Sequence, residues 1–141
     1  LPDPPEPLLL ERRVLTGEDV DADRITADGR VWSYTTVDAR LEGGEWSFRK
    51  VDIPAWREEA RLTPQALGAL REAIADSGFF DAPAEFHPDV TVIHGSSEEW
   101  TAELGGRRHT SILHGRGVTR APVLEALAAA LEAALASTDT G

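Results

Sequence analysis

The chain has 141 residues and a mass of 15.3 kDa, the size of one domain able to bury a core without staples. Fourteen basic against twenty-five acidic residues give a net charge of -11, which argues against non-specific binding to nucleic acid or to an anionic membrane. The lack of cysteine rules out disulfides, thiolate metal sites, iron–sulfur clusters and cysteine nucleophiles.

No apolar run is long enough to span a bilayer as a helix. The chain begins at Leu1 rather than Met, which fits a cleaved signal peptide or a trimmed chain equally. A cytoplasmic setting is favoured and a secreted one stays open.

Residues 1–7 carry four prolines and two acids and read as an extended lead-in. Residues 8–16 suit a first strand, and 17–19 a loop. Asp28-Gly29 is a two-residue hairpin signal of type I′, joining Ile25 and Thr26 to the β-branched and aromatic run 31–37. A second hairpin turns at Gly43-Gly44. A two-residue loop there pairs Leu41 with Trp46, Ala39 with Phe48 and Asp38 with Arg49, which puts apolar pairs on one face and the charged pair on the other. Pro54 ends that meander, and residues 54–62 are read as a connection.

Thr63-Pro64 is an N-cap followed by proline at the first helical position. Leu67, Leu70, Ala73 and Ile74 form one apolar face, and Gly78 supplies the stop. Phe79 and Phe80 then fold the helix end back onto the sheet, or one of them anchors a partner. Strands are expected at 90–94, 99–104 and 107–113, the last two joined at Gly105-Gly106 with Glu103 opposite Arg108. A final helix starts around Pro122 and carries Leu124, Leu127, Leu131 and Leu135 as its stripe. Residues 137–141 read as a frayed tail. The expected fold is α+β: a single domain over 8–136, an antiparallel sheet of hairpins with two helices on one face.

Candidate chemistry is sparse. The histidines at 87, 94, 109 and 114 show no metal-ligand spacing, and His109 and His114 are an odd number apart, on opposite faces of a regular strand. A site assembled from His94 and His109 on neighbouring strands would be the basis of a small metal-dependent hydrolase. Asp19-x-Asp21-x-Asp23 alternates like a calcium loop, but Arg24 and Arg30 stand where an EF-hand needs Gly and Glu. His94-Gly95-Ser96-Ser97 is not a nucleophile elbow. Gly115-Arg116-Gly117 ahead of the last helix could meet an anion, or simply mark the strand exit. No cofactor and no metal are expected, and the chain is read as not an enzyme.

Large aromatics near hairpin ends are either core or interface anchors. Trp46, Trp56, Phe80 and Trp100 are the candidate partner anchors. The order of elements resembles a family of small bacterial inhibitors of thermolysin-like metalloproteases, the emfourin-like proteins. The likeness rests on a glycine-tipped hairpin, the stretch Leu62-Thr63-Pro64 with Leu67, Leu70, Ile74 and Gly78-Phe79-Phe80, strands around Trp100 and Ile112, and the final leucine-spaced helix. It covers about residues 25–136, and residues 1–24 extend beyond it. The resemblance implies an α+β domain that binds a protease and has no catalysis of its own; it assigns no inhibitory residue here. The expectation is a non-catalytic module that binds another protein. The alternative is a self-associating domain in which Trp46 or Phe80 closes a homodimer.

Overall fold

The computed structural model describes residues 1–91 and 95–139. Among them the elements are β1 (Leu8–Thr16), β2 (Asp19–Thr26), β3 (Arg30–Thr35), β4 (Val37–Glu42), β5 (Glu45–Lys50) and β6 (Arg57–Leu62). Helix α1 (Pro64–Asp76), a 3-10 turn (Phe79–Asp81) and β7 (Glu85–Phe86) follow. The chain continues with β8 (Ser97–Leu104), β9 (Arg107–Leu113), α2 (Pro122–Leu135) and β10 (Thr138–Asp139). The fold is α+β, as expected, with strand order β10-β6-β3-β2-β1-β8-β9-β7 in the main sheet. The pairing is antiparallel except where β7 lies parallel to β9.

β1 runs through the middle of this sheet, and Leu8, Leu9, Leu10 and Glu11 are all buried. A strand covered on both faces needs no polar alternation, which is why its sequence opens on three leucines. On one face Leu10 pairs with Ile25 and Ala102, and Arg12 with Trp100. The helices close over that face, with Leu70 and Ile74 of α1 and Leu124, Leu127 and Leu131 of α2 in one core with Phe79, Trp100 and Leu113. Helix α1 begins as its sequence predicts: the Ala66 amide donates to Thr63 Oγ1 at 3.1 Å, Pro64 takes the first helical position, and Gly78 follows at φ +77°.

The other face is closed differently. Arg24, only 1% exposed, lies opposite Glu11 with 3.3 Å between guanidinium and carboxylate. It also donates to the Pro5 carbonyl at 2.7 Å and to the Glu6 carboxylate at 2.9 Å. The lead-in is therefore part of the fold, held by a buried cation that an extended linker would leave in water.

Several expectations need correction. The first hairpin loop spans three residues, 27–29, with positive φ at Gly29 and not at Asp28. That is a bulged loop rather than a type I′ turn. The stretch read as a connection contains β6, which pairs with β3 because β3 otherwise has a free edge. The tail is not frayed throughout, since Thr138–Asp139 pairs with β6. Val90 and Thr91 lie outside any strand, and the rest of the strand expected at 90–94 falls outside the described residues. The meander also does not continue into the main sheet. β3 ends at Thr35, and β4 and β5 form a two-stranded sheet of their own.

Candidate functional site

The β4–β5 hairpin keeps the register read from its sequence: Leu41 opposite Trp46, Ala39 opposite Phe48 and Asp38 opposite Arg49. Gly43 and Gly44 have φ of 59° and 83°, the left-handed pair that a two-residue loop requires. At its base the hairpin is tied to β2. The Thr36 amide donates to the Val20 carbonyl at 3.0 Å, the Val20 amide donates to Thr36 Oγ1 at 2.9 Å, and Lys50 Nζ donates to Asp19 Oδ1 at 2.8 Å. Lys50 holds the Asp19 carboxyl below its ordinary range, and Asp19 raises the Lys50 ammonium in return.

The alternation predicted from sequence is correct, but the apolar face it creates is not covered. Leu41, Trp46 and Phe48 are 60%, 63% and 68% exposed. Ala39 and Phe48 edge a groove of about 320 Å³ against Val14, Val20 and Val37. The opposite face of the hairpin is charged, with Arg40 Nε donating to Asp38 at 2.9 Å. The arm therefore has one apolar and one charged side, and its exposed apolar residues line up on one face of a strand pair instead of lying scattered. Leu41 and Phe48 are legible from sequence as part of this apolar face but not as partner anchors. The signal was in the register, which put them beside Trp46.

The other three candidate anchors fare differently. Trp100 is fully buried, with its indole N–H donating to Glu98 at 2.8 Å and the Arg12 guanidinium 5.7 Å from its ring. The anchor reading of Trp100 is corrected: its strand is interior, so the indole faces the helices. Trp56 is half-buried, 5.3 Å from the Tyr34 ring and 5.9 Å from the Arg24 guanidinium, and helps cover the face that the helices leave open. Phe80 is half-buried, edge-on to Phe79 at 5.9 Å and overlaid by the Arg107 guanidinium at 5.1 Å.

The histidine pairing expected from sequence involves His94, which lies outside the described residues. His109 stands edge-on to Phe79 at 5.1 Å with Nε2 3.0 Å from Ser111 Oγ, whose proton goes to the Pro83 carbonyl. His114, just past β9, instead meets His87 and Glu85. The two imidazoles stack at 4.6 Å and 3°, and His114 Nε2 lies 3.0 Å from Glu85 Oε1. Sequence spacing could not reveal this group, because the parallel pairing of β7 on β9 assembles it.

The alternating aspartates lie on β2, where Asp19 engages Lys50 and Asp23 engages Arg12. Arg116 of the Gly-Arg-Gly segment is bonded to Glu98 at 2.7 Å, so its guanidinium is committed to the protein. No protein-family model and no curated protein matches this chain.

Proposed function

We propose that this chain is a non-catalytic protein-binding module whose β4–β5 hairpin is the binding arm. The observation that carries the reading is the co-facial exposure of Leu41, Trp46 and Phe48 on a hairpin anchored at its base and free at its tip. A large aromatic held by a rigid arm loses little entropy on docking, which is what an anchor needs. Glu42 and Glu45 face each other at the tip, and the whole chain carries -11. Both favour a partner groove with an apolar floor and a basic rim. A thermolysin-like protease is the partner class that the sequence resemblance implies.

The same face supports a second reading, a homodimer closed by Trp46. Light scattering of the free protein over a concentration series separates the two. A monomer that forms a complex with a thermolysin-like protease and inhibits it, with both effects lost in Trp46→Ala, supports the first reading. A stable dimer that Trp46→Ala dissociates supports the second. Absence of inhibition, or complex formation indifferent to Trp46, counts against the arm.

A further inference from the structure

We propose that Glu85, His87 and His114 bind a divalent cation of the zinc class. One ligand atom from each lies within 4.8 Å of the other two. Zinc bonds of about 2.0–2.2 Å in tetrahedral geometry place neighbouring ligand atoms about 3.3 Å apart. The His114–Glu85 contact, at 3.0 Å, already meets that spacing. Parallel imidazoles aim their lone pairs side by side, so one ring must turn for both to reach one ion. His87 is exposed and free to make that turn.

The backbone beneath the group is fixed, which limits the cost of binding. The His114 amide donates to the Phe86 carbonyl at 2.9 Å, continuing the β7–β9 pairing. Gly115, at φ +68°, lets Pro88 sit directly on the chain: a Cβ there would lie 3.0 Å from Pro88 Cγ. Thr119 Oγ1 donates to the His114 carbonyl and closes the turn. The residues flanking His87 and His114 are thus pinned together while the ring of His87 is left adjustable.

The donor set decides the ion. Two imidazoles and one carboxylate suit Zn²⁺, Co²⁺, Ni²⁺ or Cu²⁺, whereas Mg²⁺ and Ca²⁺ prefer oxygen alone. Among the described residues three side chains supply ligands, which leaves a fourth tetrahedral position for another donor, and the ion would clip β7 and its following loop onto the end of β9.

Calorimetric titration of tag-free, EDTA-treated protein with zinc chloride tests this. One equivalent should bind. Loss of an outer hydrogen-bond partner alone costs a zinc site about 10–100-fold, so removing a ligand in His87→Ala or His114→Ala should weaken binding by about 100-fold or more. His109→Ala should bind as the wild type does. Should His114→Ala unfold, His87→Ala and Glu85→Gln carry the test, since both side chains are exposed. In NMR spectra, zinc should move the ring signals of His87 and His114 and leave that of His109 in place. The absence of stoichiometric uptake, or uptake that survives both His87→Ala and His114→Ala, overturns the proposal.

Discussion

Lys50 and Asp19 stand 31 residues apart in sequence, and their 2.8 Å ion pair joins the last residue of the hairpin arm to the first residue of β2. The pair is solvent-exposed, so its share of global stability is small. Its role is to limit how far the arm can swing. Lys50→Ala should leave the melting temperature nearly unchanged and speed amide hydrogen exchange over residues 37–50 relative to the main sheet. The pH dependence follows from the two shifts. Asp19 lies below its unfolded pKa, so its contribution is present above that value and is lost as pH falls through the lower folded one. Lys50 lies above its unfolded pKa, so its contribution holds below that value and fades as pH rises through the higher folded one. Hydrogen exchange across the hairpin should therefore be insensitive to this pair between about pH 5 and 10.

Two tryptophans should respond oppositely to truncation. Trp100 is sealed in the core, and Trp100→Ala should cost about 3–5 kcal/mol. Trp46 projects from the arm, and Trp46→Ala should change stability by less than about 0.5 kcal/mol. Urea unfolding measures both. An equally large loss at Trp46 would mean that its side chain serves the fold.

The buried Arg24–Glu11 pair should be hard to break from one side. Arg24→Ala leaves the Glu11 carboxylate in the interior with Arg13 Nε 3.0 Å away, in ion-pair range but without a hydrogen-bonding angle. Arg13 offsets that charge only in part, so a cost of about 3 kcal/mol is expected, the low end for a buried pair broken from one side. Replacing both partners, Arg24→Met with Glu11→Leu, should recover much of it in the same urea experiment. Deleting residues 1–6 should also destabilise the chain, because it removes the Pro5 and Glu6 acceptors of Arg24.

Asp21 presents the opposite case to Asp19. Protein atoms crowd its carboxylate although one side meets solvent, and with the Asp23 charge nearby they push its pKa up; Arg12 and Arg116 offset this only in part. An acid with a raised folded pKa favours the native state most when protonated and destabilises it above that pKa. Asp21→Asn should therefore stabilise the protein at neutral pH, by less than about 1 kcal/mol given solvent screening. The gain should shrink as pH falls and be gone in melts run well below the ordinary aspartate pKa of about 3.9, where the carboxyl is protonated in folded and unfolded chains alike.

What could be read from the sequence was local. The ends of α1, the Gly43-Gly44 register and the Gly105-Gly106 turn are set within a few residues, by a cap, a proline or a left-handed glycine pair. Elements that depend on a distant partner were hidden. β6 is mostly charged and qualifies as a strand only because β3 offers it an edge. Arg24 and Glu11 look like surface residues until β1 and β2 pair. The grouping of Glu85, His87 and His114 needs β7 to lie parallel to β9, which no spacing announces. The face of the hairpin was legible, but not whether anything covers it. Burial is a property of the assembled sheets, and β4–β5 stands apart from the main one.

The most direct test of the binding arm follows the indole N–H signals of the four tryptophans, 32, 46, 56 and 100, in a ¹⁵N NMR titration. A thermolysin-like protease is added with its active site blocked by a small covalent reagent. The Trp46 signal should shift or broaden together with the amides of residues 37–50, while the buried Trp100 signal stays in place. A complex that leaves Trp46 unmoved, or a Trp46 signal that moves with the protein's own concentration before any protease is added, would contradict a hairpin built to hold another protein.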